Sequence, residues 1–176
     1  VGAALTSDPR VAGVVFTGSN ATALAINRAL AARDGAIGTL IAETGGQNAL
    51  IADSSALPEQ LVKDALASAF TSAGQRCSAA RVLFVQDDIA DKVIGMLAGA
   101  MQELTVGDPA LLSTDVGPVI DADALRMLDA HAERMAREAR LIATTPLGPE
   151  TAHGTFFAPR AWELQSLSQL QRENFG

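Results

Sequence analysis

Short apolar runs alternate along this chain with longer segments whose apolar residues recur at helical spacing. The apolar runs predict strands at residues 11–16, 39–42, 48–52, 81–85, 141–144, 155–158 and 162–164. The periodic segments predict helices at residues 21–33, 58–74, 89–104 and 121–140, and Gly-Pro punctuation predicts a loop at 105–120. Strands alternating with helices indicate an α/β fold with a mostly parallel sheet and flanking helices. The runs at 39–42 and 48–52 are continuously apolar, which predicts burial on both faces.

Composition favours a globular domain and disfavours a disordered, nucleic-acid-binding or membrane-spanning segment. The chain has 176 residues, of which 48% are hydrophobic and 19% charged, a balance typical of one globular domain and not of a disordered segment. The net charge of −7 disfavours a nucleic-acid partner, because such binding uses clustered Lys and Arg. The longest uncharged run, residues 11–26, is too short and too polar to span a membrane.

Cysteine and histidine usage adds to this picture. Cys77 is the single cysteine, so no internal disulfide can form, and no secretion signal is visible. We therefore expect a cytoplasmic protein. His131 and His153 have no partner at metal-ligand spacing, so no metal site is expected. Because the sequence opens at Val1 within a predicted helix and closes at Gly176 without a stop signal, we also expect a piece of a longer protein.

The turn Phe16-Thr17-Gly18-Ser19 connects a predicted strand to a predicted helix. Backbone N–H groups and the positive end of a helix can hold an anion at such a turn. An ordinary N-cap by Ser19 or Asn20 explains the same residues. Taken alone, the turn favours the N-cap and leaves anion binding open.

Two side chains could carry chemistry. Cys77 lies in a segment of small residues, beside Arg76, whose positive charge would favour a reactive thiolate. On these residues alone, a buried structural cysteine is the favoured interpretation. Glu43 ends a predicted strand, at the edge where α/β sheets bind ligands, and could serve as a general base, a cap or a solvated charge.

Four short motifs occur in a fixed order. They are F-T-G-S at 16–19, E-T-G-G-Q-N at 43–48, G-Q-R-C at 74–77 and E-N-F-G at 173–176. In this order the chain resembles the aldehyde dehydrogenase superfamily. The exact residues in and between the motifs, including V-G-D-P at 106–109 and S-T-D-V-G-P-V-I-D at 113–121, are similar to those of the 1-pyrroline-5-carboxylate dehydrogenase module of bifunctional proline utilization A enzymes. The resemblance covers essentially the whole chain.

The resemblance implies an NAD-dependent oxidation of L-glutamate semialdehyde to L-glutamate within a homo-oligomeric enzyme. Cys77 would attack the aldehyde carbon, its backbone N–H would contribute to an oxyanion hole, and Glu43 would activate the water that hydrolyses the thioester. Arg76 and Ser78 would help to seat the substrate. The residues implied at the cofactor are Phe16, Gly18, Ser19, Glu173 and Phe175.

The resemblance also implies a domain boundary and leaves alternatives open. Residues 1–52 would be the C-terminal part of a dinucleotide-binding domain, and residues 53–176 the N-terminal part of the catalytic domain. Asn174 departs from the family pattern, which has an apolar residue there. Because the family's second oxyanion donor, its ribose-binding Lys and its substrate-carboxylate loop would lie outside residues 1–176, we expect this segment to be inactive alone. The alternatives are a catalytically silent fragment or interaction domain, and an aldehyde dehydrogenase of other specificity.

Overall fold

The chain folds as two units, Val1–Gly46 and Gln47–Gly176, in a computed structural model that describes residues 1–171 and 173–176. The first unit contains α1 (Gly2–Ser7), β1 (Gly13–Thr17), α2 (Asn20–Ala31) and β2 (Thr39–Glu43). The second unit contains β3 (Asn48–Ala52), α3 (Pro58–Phe70), β4 (Ala80–Val85), α4 (Asp87–Gln102), α5 (Ala122–Glu138), β5 (Arg140–Thr144) and β6 (Arg160–Glu163). Short 3₁₀ turns cover Thr71–Gly74, Pro149–Ala152 and Leu167–Gln169.

The first unit is built on a parallel strand pair. β1 and β2 pair in unbroken register from Gly13 opposite Thr39 to Thr17 opposite Glu43. Ser19 is the N-cap of α2, since its hydroxyl accepts a hydrogen bond of 3.2 Å from the Thr22 N–H. The predicted strand, turn and helix are therefore confirmed.

The second unit combines parallel and antiparallel pairing. β3 and β4 are parallel, whereas β5 and β6 are antiparallel. One apolar cluster lies between α3, α4 and the β3–β4 pair, with Val62 and Val93 at its centre. A second cluster forms around α5, where Leu128 packs with apolar residues of the preceding loop. The predicted mixed α/β class is confirmed.

Three expectations about individual elements are wrong. Residues 155–158 form no strand, because the backbone there pairs with the preceding loop, where the Val119 N–H donates to the Thr155 carbonyl at 2.9 Å. The helix predicted to 74 ends at Phe70, where the backbone turns left-handed. The strands β2 and β3 are not buried on both faces, since Ile41 is 53% exposed and Ile51 78% exposed. In β3 exposed and partly buried residues alternate, because α3 and α4 pack against the face that carries Leu50 and Ala52.

Candidate active site

Cys77 lies on a loop between α3 and β4 that begins with a left-handed turn. Ser72, Ala73 and Gly74 have φ values of 58°, 52° and 67°, a conformation that side chains with a Cβ adopt at a cost. At Gly74 a Cβ would lie 3.0 Å from both the Ala69 carbonyl oxygen and the Gly176 backbone carbon. The turn ends α3 abruptly and leads the chain to Cys77.

The Cys77 side chain is exposed to solvent. This overturns the interpretation that the residues alone favoured, a cysteine buried for packing. Among the described residues, no acceptor takes a hydrogen bond from the Cys77 backbone N–H. An exposed thiol beside a free N–H donor is the combination that attack on a carbonyl requires.

Two amide side chains hold the backbone of this loop in place through hydrogen bonds. Asn48, the first residue of β3, donates through Nδ2 to the carbonyl oxygens of Cys77 at 2.6 Å and Ala79 at 3.0 Å. Gln75 donates through Nε2 to the Ser72 carbonyl at 3.1 Å, and its Oε1 accepts from the Ile120 N–H at 2.8 Å. These bonds fix the backbone around Cys77 without using its sulfur.

The residues on either side of the thiol are exposed. Arg76 and Ser78 both lie at the surface, and the Arg76 Nε donates to the Ser72 hydroxyl at 3.2 Å. Their assignment to the substrate remains a prediction. The bond from Arg76 to Ser72 places the guanidinium on the same turn that presents the thiol.

A largely buried arginine connects this loop with the last motif of the chain. Arg81 Nη2 donates to the Gly74 carbonyl at 2.7 Å and to the Arg76 carbonyl at 3.3 Å. The same atom lies 3.9 Å from Glu173 Oε1, and the guanidinium carbon lies 5.5 Å from the centre of the Phe175 ring. Burial lowers the pKa of Arg81, and the negative charge of Glu173 opposes that shift.

The remaining predicted site residues lie in the first unit. Glu43 is exposed at the C-terminal end of β2, and its backbone carbonyl accepts a hydrogen bond of 3.1 Å from the Gly18 N–H. Gly18 allows the Phe16 ring to lie close to the turn, because a Cβ at position 18 would collide with it. Phe16, Gly18, Ser19 and Glu43 thus gather at one end of the β1–β2 pair. Their roles, like those of Cys77 and Glu173, remain predictions.

Sequence reasoning missed the residues that support the loop. Asn48 was visible as the last letter of the second motif, and Gln75 as part of the third, but neither was assigned a role. Arg81 is the second residue of the otherwise apolar strand β4, and a single charge within an apolar strand is the signal that could have identified it.

Residues 1–171 and 173–176 contain neither a helix suited to span a membrane nor a cluster of metal ligands. No helix in this part of the chain is both long and apolar enough to cross a bilayer. No group of three or more His, Cys, Asp or Glu side chains is placed there to hold a metal ion.

Comparison with known proteins places these motifs in a family. The family model described as "Aldehyde dehydrogenase family" matches residues 1–176. The bifunctional protein PutA of Klebsiella aerogenes is 50% identical over 184 residues, covering 100% of this chain and 14% of that protein. The 1-pyrroline-5-carboxylate dehydrogenase of Geobacillus kaustophilus is 35% identical over 162 residues, covering 90% of this chain and 31% of that protein.

Solved structures give the same result for the fold. A mutant of proline utilization A from Bradyrhizobium japonicum superimposes with a TM-score of 0.93 at 58% identity, covering 99% of this chain and 18% of that one. A betaine aldehyde dehydrogenase mutant from Staphylococcus aureus, in complex with NAD+ and with a BME-modified cysteine, gives 0.93 at 28% identity, covering 100% of this chain and 36% of that one. The chain therefore spans a small part of each relative.

Proposed function

The chain belongs to the aldehyde dehydrogenase family, and from this premise we propose that it carries the nucleophile and the general base of an NAD-dependent oxidation of L-glutamate semialdehyde to L-glutamate. The observation that carries the proposal is the exposed Cys77 thiol, which lies on a loop whose backbone is held by hydrogen bonds from Asn48. The semialdehyde is supported by the similarity to PutA and 1-pyrroline-5-carboxylate dehydrogenase.

Cys77 and Glu43 have successive tasks in this reaction. The Cys77 sulfur forms a bond to the aldehyde carbon, and the resulting oxyanion accepts a hydrogen bond from the Cys77 N–H, a kind of donor worth about 3 kcal/mol in characterised enzymes. Loss of a hydride from this carbon would leave a thioester on Cys77, and NAD, when bound, would supply the hydride acceptor. Glu43 then takes a proton from water, the water oxygen attacks the thioester carbon, and the carbon–sulfur bond breaks to release glutamate and the thiolate.

The residues present fit a dinucleotide. Glu173 Oε1 is buried without a hydrogen-bond partner in the described part of the chain, and a ribose hydroxyl could supply the missing donor. At the other motif, the N-terminus of α2 follows the turn at Gly18 and Ser19, where a helix end favours negatively charged groups. Glu173 and Phe175 would lie beside the nicotinamide and its ribose, and Phe16, Gly18 and Ser19 would lie near the dinucleotide.

Replacing the thiol tests the nucleophile. In the intact protein that carries these residues, Cys77→Ser should abolish NADH formation from the semialdehyde, because an unactivated hydroxyl is a far weaker nucleophile than a thiolate. Retained turnover would refute the assignment. Turnover by the unmodified protein of other aldehydes, but not of the semialdehyde, would favour a different specificity, and no turnover of any aldehyde would favour a silent segment.

Replacing the carboxylate tests the base. Glu43→Gln should preserve a first burst of NADH, stoichiometric with the enzyme, while slowing steady-state turnover, because the amide cannot take the proton from water. Glu103→Gln, the same change at an exposed residue after α4, is the matched control and should retain both phases. If Glu43→Gln loses the burst and the steady state equally, Glu43 is not the base of deacylation.

The family relationship also supports a homo-oligomeric, cytoplasmic parent enzyme. Light scattering on the intact protein would test the oligomeric part of this proposal, since a monomeric mass would contradict it.

A further inference from the structure

Arg81 touches two features that the proposed mechanism treats separately. Through Nη2 it binds the carbonyl oxygens of Gly74 and Arg76, which lie in the three residues preceding Cys77. It also faces the carboxylate of Glu173 and the ring of Phe175, in the motif assigned to the cofactor. Glu173 is 92 positions from Arg81 in the sequence, so this contact exists only in the folded protein.

Burial makes this contact specific. The Arg81 side chain is 10% exposed and the Glu173 side chain 17% exposed. A buried guanidinium needs anionic or carbonyl partners, and within the described residues those partners are the loop carbonyls and Glu173. The planar guanidinium can bind carbonyl oxygens, pair with a carboxylate and lie against an aromatic ring at once, which a lysine ammonium cannot do.

Two polar atoms of this contact lack hydrogen-bond partners among the described residues, so a bound ligand could add a hydrogen bond here. At 3.9 Å the Arg81–Glu173 pair is an ion pair without a hydrogen bond, and Arg81 Nε and Glu173 Oε1 are both buried without hydrogen-bond partners in the described part of the chain. A hydroxyl that donates to Glu173 would therefore not have to break an existing hydrogen bond to this oxygen.

We propose that Arg81 is a positioning residue that couples the Cys77 loop to the Glu173–Phe175 cofactor motif. It holds the backbone that presents the thiol, and it orients the carboxylate that would receive the ribose. The catalytic part of this inference rests on the function proposed above. Arg81 touches neither substrate nor cofactor in this assignment and acts only through the two segments that it connects.

Kinetics of three variants of the intact protein test the coupling. Arg81→Met should lower kcat on the order of 10- to 100-fold, because a misplaced nucleophile loses alignment, and should raise the KM for NAD at least about fivefold. Arg81→Lys should return the KM for NAD to within about twofold of the unmodified protein while kcat stays low, since the ammonium can pair with Glu173 but lacks the planar fork. The matched control is Arg126→Met, which removes an arginine that is 69% exposed on α5, and both of its constants should stay unchanged.

The test depends on whether kcat and the KM for NAD change together or separately. A general loss of structure would move kcat and KM together and would not be repaired in KM alone by lysine. Recovery of both constants by Arg81→Lys, recovery of neither, or an Arg81→Met protein equal to Arg126→Met would overturn the proposal.

Hydrogen exchange tests the same coupling without activity. In Arg81→Met, exchange of the hydrogen-bonded Gln75 and Ala79 amides should accelerate, and the amide NMR shifts of residues 173–176 should change, whereas Arg126→Met should affect neither segment. An effect in one segment only, or in neither, overturns the coupling. Because this measurement needs no turnover, a failure of the proposed function is distinguished from a failure of the inference: the first abolishes NADH formation in the unmodified protein, and the second leaves it intact.

Discussion

Removing the Asn48 side chain should loosen the loop that carries Cys77. Asn48→Ala deletes two hydrogen bonds, one to the Cys77 carbonyl at 2.6 Å and one to the Ala79 carbonyl at 3.0 Å. A hydrogen bond of this kind contributes about 1 kcal/mol net, so the loss is about 2 kcal/mol. Because every 1.4 kcal/mol is a factor of ten in an equilibrium constant, the loop should open about 30-fold more often.

Amide exchange of Ala79 measures this opening directly. Its N–H donates to the Arg76 carbonyl at 3.1 Å within the loop, so its exchange under native conditions reports the opening equilibrium. Gln102→Ala is the matched control, because the Gln102 amide binds the Thr144 carbonyl at 2.9 Å elsewhere in the second unit. An acceleration of Ala79 exchange below about threefold, or an equal one in the control, would refute the calculation, since it would mean less than about 0.7 kcal/mol.

A carboxylate at position 48 should open the loop more often than the methyl group of Asn48→Ala does. Asn48→Asp places an acceptor opposite two carbonyl oxygens, so the ionised form can make neither bond and is repelled by both. Protonation restores one O–H donor, and exchange of Ala79 should therefore slow again as the pH falls through the pKa of the new carboxyl. Exchange that is slowest at high pH, after correction for the intrinsic rate, would contradict this account of the loop.

Three further predictions concern packing, backbone and charge. Met101→Ala should cost about 2–5 kcal/mol in urea unfolding, because Met101 is completely buried, whereas Leu112→Ala at a fully exposed position should stay within about 0.5 kcal/mol. Gly74→Ala should destabilise the loop by more than about 1 kcal/mol, since φ is 67° and the Cβ is crowded, and an unchanged midpoint would contradict the left-handed turn. Hydrogen bonds from Ser55 lower the pKa of Asp53; the stabilisation from this carboxylate is present above its unfolded pKa and is lost as the pH falls through the lower folded pKa. In Ser55→Ala, NMR titration should find the pKa of Asp53 raised part of the way to its usual value, because the backbone N–H bond remains.

Local sequence patterns predicted the elements whose causes are local. The strand, turn and helix around Ser19 were predictable because the apolar run, the capping hydroxyl and the helical period lie within a few residues of each other. The same logic failed at residues 155–158, whose composition suits a strand but whose backbone partner is Val119, distant in sequence. Strand character in the sequence does not identify the partner that completes a ladder.

In the candidate site, too, local patterns predicted some residues and missed others. The motifs pointed to Cys77, Glu43 and Glu173 as candidates for chemistry, because residue type and order carry that information, and these roles remain predictions. The motifs did not reveal that the largely buried Arg81 lies between the Cys77 loop and Glu173, or that Asn48 binds the loop carbonyls. Such contacts depend on the tertiary arrangement of β3, β4 and the end of the chain, and no local pattern encodes that arrangement.

The left-handed turn explains why the loop needs so many contacts. Ser72 and Ala73 occupy positive φ without being glycine, at a cost of about 1–2 kcal/mol each, so a free peptide of this sequence would leave the conformation. The bonds from Asn48, Gln75 and Arg81 all end on backbone atoms of the loop or its neighbours, and all come from side chains that the strain does not involve. The geometry at Cys77 is therefore imposed by the rest of the second unit, and variants of these three supports should disturb the thiol more than changes to the exposed residues beside it.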